Sequence, residues 1–135
     1  MALEHEDVEV VRRLLEAIQA GSVDSALALL HADVRFDATV RPDGRVWHGP
    51  EGARLALAEW VDEWDEYELQ TERVLQASES RVAVLFHERG RARGSGVPIA
   101  QVGVTVFTLR GGLIVEIRPR LDRERALREL GLSDA

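Results

Sequence analysis

The stretch "RVAVLFHERGRARGSGVPIAQVGVTVFTLRGGLIVEIRPRL", Arg81 to Leu121, sets the architecture. Its β-branched and aromatic residues fall into three runs, Arg81–Arg91, Val97–Leu109 and Leu113–Leu121, and the separators "RGSG" and "RGG" are turn chemistry. Upstream, Tyr67–Ala77 has the same strand-like character and is set off by "SES". Four strands joined by short turns predict an antiparallel meander. Within it "HERGRARGSG", His87 to Gly96, packs three arginines and three glycines into ten positions, the look of an RNA-binding arginine-glycine tract. In the strand register it is the polar end of a strand entering a hairpin turn, which needs no ligand to explain it.

Towards the N-terminus the period changes. Val8, Val11, Leu14, Leu15 and Ile18 share one helical face and Gly21 follows, which predicts an amphipathic helix over Asp7–Ala20. A second, shorter helix starts at Ser22 as N-cap, carries Val23, Ala26, Leu27 and Leu30 on its buried side, and ends before Asp33. "VRFDATV" (34–40), the turn "RPDG" and "RVWH" predict a hairpin. "GPEGARLALAEWVDEW", Gly49 to Trp64, predicts a third helix: Pro50 suits its first turn, Glu51 the positive end of its dipole, and Ala53, Leu57, Trp60, Val61 and Trp64 its apolar stripe. A short helix over Asp122–Leu130 closes the chain. This order predicts an α+β fold, with three N-terminal helices packed in the concavity of a curved, mostly antiparallel sheet: a cone-shaped α+β barrel with a short C-terminal helix. The concavity is where a ligand would go.

Composition narrows the function. A chain of 135 residues with 45% hydrophobic residues fits one domain, residues 1–135. Cysteine is absent, which excludes disulfides, thiolate chemistry and sulfur-ligated metals. His5, His31, His48 and His87 are scattered with no i, i+4 pair, so no metal is expected, and no cofactor. Twenty-four acidic residues outnumber 17 basic ones, all arginine, and the net charge of −7 repels a phosphate backbone at long range. No nucleic-acid partner is expected. "GPEG" lacks the lysine and spacing of a P-loop, which argues against a nucleotide. "MALEHEDVEV" lacks a signal peptide's basic and apolar regions, and no run approaches the ~18 apolar residues of a membrane span. A soluble cytoplasmic protein with no membrane partner is the expectation.

The element order, together with "AGSVDSALALLHADVRF" (20–36), "WHGPEGARLALAEW" (47–60) and "TLRGGLIVEIRPRLDRERALRELGL" (108–132), resembles the SnoaL-like, ketosteroid isomerase-like branch of the nuclear transport factor 2-like superfamily, over nearly the whole chain. That scaffold hosts isomerases, cyclases, dehydratases, epoxide hydrolases and non-catalytic binders, so the resemblance implies the fold and leaves the activity to the pocket. The steroid isomerases place a tyrosine on the first helix, a general-base aspartate on the first strand and a second carboxyl on a later strand. Aligned with them, this chain has Leu14, Ala38 and Thr105. Polyketide cyclases and epoxide hydrolases of the superfamily use an aspartate near the end of the last strand, where "EIRPRLD" carries Ile117 and Pro119. With Ala38, Thr105 and Pro119 at the usual carboxylate positions, the expected function is binding of a small hydrophobic or aromatic molecule. The alternative is an isomerase, cyclase or dehydratase acting by general acid/base catalysis through an unconventional group.

Two residues are catalytic candidates. Asp37 is one residue from the base position, and strand alternation points it to the other face unless a bulge intervenes. His87 follows "VAVLF" and is a general base if it faces the cavity, a structural histidine otherwise. Arg89 could clamp a carboxylate, or lie on a solvated face. For binding, Trp47, Trp60 and Trp64, with Gln101, Thr105 and Phe107 on one strand face, read as an aromatic cage, with ordinary core packing the alternative. Leu113, Val115, Ile117 and Pro119 are expected to face inward along the last strand, while the acidic run "DEWDEYELQTE" (62–72) reads as a solvated helix face turning into a strand. Val102, Val104 and Val106 form a second apolar face that the helices cannot cover, which predicts a homodimer through the outside of the meander.

Overall fold

Val11 and Leu14 lie buried on the inner stripe of the first helix, α1 (Ala2–Gln19), as the 3.6-residue period predicts. The computed structural model describes residues 2–132, with side chains from Glu6 onward, so the side chain of His5 lies outside the described residues. Gly21 ends α1 at φ +71°, where its N–H donates to Ile18 O at 3.1 Å and that of Ser22 to Ala17 O at 2.9 Å, a glycine-dependent Schellman closure. The second helix, α2, is shorter than predicted, Val23–Leu27. Leu30 belongs to the first strand, β1 (Leu30–Asp37), because it pairs in parallel with Ile114, a partner 84 positions further on that no local pattern reveals.

β1 pairs with the short β2 (Val46–His48) in the predicted antiparallel hairpin. The third helix, α3 (Gly49–Asp62), has Pro50 and Glu51 in its first turn and buries Ala53, Ala56 and Trp60. It stops before Trp64. That residue opens β3 (Trp64–Ser78) and pairs with Ala92, so Trp60 and Trp64 are not a helical pair. β4 (Arg81–Ala92), β5 (Pro98–Arg110) and β6 (Leu113–Arg120) complete the meander, and the six strands run in the order β2-β1-β6-β5-β4-β3. Among the described residues only the β1–β6 pairing is parallel. The result is the expected curved α+β cone. An irregular register between β5 and β6 pairs Leu109 with Ile114 and Thr108 with Glu116, so Ile114 and Ile117 both reach the core rather than the evenly alternating set expected.

On the concave side, Val11, Leu14, Val34, Phe36, Ala53, Val82, Phe107 and Ile117 form the main core. A smaller one lies on the convex side, where Ala83, Leu85 and Val104 are covered by Ala126 and Leu127 of the last helix, α4 (Arg123–Glu129). The premise that helices cover only one face is therefore corrected: α4 seals the middle of the other. Arg123 anchors it, its guanidinium donating to Gly103 O at 3.1 Å and Phe86 O at 2.6 Å, and Arg120 joins Asp122 and Glu129 at 2.7 and 2.8 Å. What stays exposed beside α4 is Val102, 43% accessible. Among the described residues no helix is long and apolar enough to cross a membrane.

Candidate functional site: a cone with one buried carboxylate

A cavity of about 220 Å³ lies between α1, α2 and α3 and the concave sheet. Leu14 and Ile18 of α1, Leu27 of α2, and Arg54, Leu57 and Trp60, spaced three apart on α3, form its helical wall. Leu69, Val84, Phe86, Thr105, Phe107, Ile117 and Pro119 form its sheet wall. Its exposed rim is Gly21, Ser22, Val23, Arg54 and Thr71, and Trp60 and Phe107 lie buried inside. Leu14, Thr105, Ile117 and Pro119 line the cavity, and none supplies a carboxyl group.

The carboxyl group comes from elsewhere. Val84, Phe86 and Glu88 alternate along the inner face of β4, and Glu88 lines the cavity while only 1% exposed. Its Oε1 accepts the indole N–H of Trp60 at 3.0 Å and the hydroxyl of Tyr67 at 2.6 Å. Its Oε2 accepts the side-chain amide of Gln101 at 2.6 Å. Each donor comes from a different element: α3, β3 and β5. A buried carboxylate left without such donors would be destabilising by several kcal/mol, so the three bonds are what makes the position tenable. Burial, followed by the hydrogen bond to Glu88 and its charge, pushes the Tyr67 phenol well above its ordinary value, so Tyr67 is a proton donor throughout the neutral range.

The predicted binding residues divide. Trp60, Thr105 and Phe107 line the cavity. Gln101 touches it only through Glu88, the residue directly opposite on β4. Trp64 lies beyond this cluster, its ring 5.0 Å from that of Tyr67 and seated over Gly90, where a Cβ would meet it at 2.9 Å. With Asp62, Arg93, Ile99 and Gln101 it borders a second, more open pocket. Trp47 lies on the hairpin, under the guanidinium of Arg45 at 3.9 Å, and is not in the cavity wall.

Both catalytic candidates lie outside the cavity. His87 has the opposite parity to Glu88 on β4 and stands beside Val102 on the convex side. Asp37 is buried at the end of β1 in an Asx-type turn, accepting the backbone N–H of Thr39 at 3.0 Å and its hydroxyl at 2.5 Å. Burial raises its pKa, but these bonds, with the charges of Arg35 and Arg118, outweigh that and hold it below the ordinary carboxylate value. Asp37 closes a turn. The arginines of "HERGRARGSG" are each matched by an acid: Arg89 with Glu68 at 2.9 Å and Arg91 with Glu66 at 3.2 Å across the β3–β4 pair, and Arg93, just past β4, with Asp62 at the end of α3 at 3.0 Å.

The sequence profile of the SnoaL-like domain matches residues 11–117. The chain belongs to the SnoaL-like domain family. Among solved structures this SnoaL-like domain is similar to a candidate SnoaL-like polyketide cyclase from Jannaschia sp. CCS1, at 24% identity and TM-score 0.74, covering 88% of this chain and 87% of that one. It is similar to an NTF2-like protein from Burkholderia pseudomallei K96243, at 22% identity and TM-score 0.73, over 91% and 95% of the two chains. A third is a Mycobacterium tuberculosis protein in complex with estradiol-17β-hemisuccinate, at 19% identity and TM-score 0.66, over 84% and 92%. At these identities the likeness carries the SnoaL-like fold. Among curated proteins none matches the chain significantly in sequence.

Sequence reasoning misses Glu88 and Tyr67. Glu88 sits inside the arginine-glycine tract and Tyr67 inside the acidic run, so each reads as one more member of a charged, solvated stretch. Its spacing of two and four puts Glu88 on the same face as Phe86 and Val84, but the unbroken apolar run before it does not say which face that is.

Proposed function

We propose that this SnoaL-like domain binds a small, predominantly apolar molecule inside the cone, with Trp60, Thr105 and Phe107 in its walls and Glu88 as the polar group that orients it. The observation that carries this reading is the single buried carboxylate in a predominantly aliphatic and aromatic cavity. A few convergent polar groups on an apolar wall are the usual make-up of a small-molecule site. The steroid-derived molecule bound in the Mycobacterium tuberculosis structure supports the same use of the scaffold. Calorimetric titration with 1-adamantanol, a compact alicyclic alcohol, tests it: saturable binding to the wild type should be abolished by Leu57→Trp, which fills the cavity from its partly exposed lip. Failure of the wild type to bind, or equal binding by the filled variant, contradicts the reading.

A second reading is general acid/base catalysis on such a molecule, and the adjacency of Glu88 to the protonated Tyr67 favours it. Turnover of an enolisable ketone that both Glu88→Gln and Tyr67→Phe abolish would establish it; turnover indifferent to either would not.

We further propose that two copies associate through the convex face beside α4, around Val102, which is smaller than the uncovered face expected from the sequence alone. Sedimentation showing a dimer that Val102→Glu dissociates supports this, and a monomeric wild type at tens of micromolar contradicts it.

A further inference from the structure

The charge around Glu88 specifies more than an apolar ligand, provided that the cone binds a small molecule at all. Every side chain that hydrogen-bonds to the carboxylate is neutral: Trp60 and Tyr67 at Oε1, Gln101 at Oε2. Among the described residues no ion pair includes Glu88. Cationic side chains close to the site are committed elsewhere. Arg41 lies over Trp60, 5.8 Å from its ring centroid, and pairs with Glu59 and Glu63. Arg54, at the exposed rim, pairs with Glu51.

Buried charges in proteins are normally paired, because neutral donors relieve desolvation without cancelling the charge. Indole and amide N–H groups converging on both oxygens suit the ionised carboxyl, which only accepts. Tyr67 is neutral here, since burial keeps its phenol protonated. The cavity therefore ends in an uncompensated negative group. Around it stand Trp60, Tyr67 and Phe86, all lining the same cavity, whose ring faces carry the negative side of an aromatic quadrupole. Oε2 takes one protein donor where Oε1 takes two, and so has capacity for a second.

We propose that the cavity selects small apolar molecules bearing one protonated amine, with the ammonium group donating to Glu88 Oε2 against the rings of Trp60, Tyr67 and Phe86. An alkylammonium ion supplies the missing charge, the missing donor and an apolar body in one molecule.

Matched titrations of 1-adamantylamine and 1-adamantanol at neutral pH test this, because the two share size and shape and differ in charge. The wild type should bind the amine at least about tenfold more tightly than the alcohol. In Glu88→Gln the ratio of the two affinities should fall to near parity, whatever the variant's affinity for the alcohol. An alcohol that binds the wild type as tightly as the amine overturns the proposal, and so does a preference that survives in Glu88→Gln. If the variant does not fold, the wild-type ratio alone decides. Binding of the alcohol without preference for the amine overturns only the charge inference, whereas binding of neither overturns the small-molecule reading with it.

Discussion

Gln101 stands directly opposite Glu88 in the β4–β5 register and donates to its Oε2 at 2.6 Å. The cross-strand pair makes the cavity's polar end a property of the sheet itself, since a one-residue slip of either strand would send its own side chain to the convex face and break the pair. Gln101→Leu leaves the carboxylate with two donors and should cost about 1 to 3 kcal/mol, read as a shift in the urea midpoint without a change of slope. Gln101→Glu should cost more, because it sets a second acid opposite the first. A Gln101→Leu protein as stable as the wild type would mean that Glu88 is held without the pair.

Gly103 is where β5 can carry no side chain. A Cβ there would lie 2.5 Å from Arg120 O and 2.6 Å from Phe86 Cζ, and the backbone contact cannot be relieved by a rotamer change. Gly103→Ala should destabilise the fold by about 1 to 3 kcal/mol and displace Phe86, narrowing the cavity. Thermal unfolding checks the first effect and a drop in 1-adamantanol affinity the second.

Asp37 predicts a pH dependence. Its pKa is lowered in the folded chain, so the stability it contributes is complete above the ordinary carboxylate value of about 4 and is lost as pH falls through the lower folded value. Asp37→Ala should therefore cost about 1 kcal/mol at neutral pH and much less near pH 2. A gap between wild type and variant that stays constant between those conditions would mean that the turn, and not the charge, carries the effect.

The arginine-glycine stretch should not bind RNA. Arg89, Arg91 and Arg93 are paired to Glu68, Glu66 and Asp62, with Asp65 a further partner of Arg93 at 3.7 Å, in a chain of net charge −7. Gel shifts with single-stranded RNA at physiological salt should show no complex, whereas a micromolar, steeply salt-dependent one would contradict this.

The legible parts of the sequence are those with one period and one buried face. α1 announces itself by Val11 and Leu14 and stops at Gly21, and the strands are marked by the turns between them. The parallel pairing of Leu30 with Ile114 is illegible because it depends on contacts across the chain, and Leu30 fits a short helix equally well. The site is harder for a related reason. "VAVLF" is apolar at every position because both faces of β4 are buried, one by the cone and the other by α4. An unbroken run gives no phase, so the sequence cannot say whether His87 or Glu88 points inward. Trp64 misleads because the helix-to-strand change at Glu63 falls inside a uniformly acidic run, with no glycine or proline to mark it.

The indole N–H of Trp60 is the natural reporter on occupancy of the cone, since it donates to Glu88 at the wall of the cavity while that of Trp47 lies on the hairpin outside it. In ¹H–¹⁵N spectra recorded while 1-adamantanol and then 1-adamantylamine are titrated in, the Trp60 indole resonance should shift saturably with both molecules, and the Trp47 resonance should stay in place. A Trp60 resonance unmoved at saturating concentrations of either molecule would contradict a ligand site in the cone.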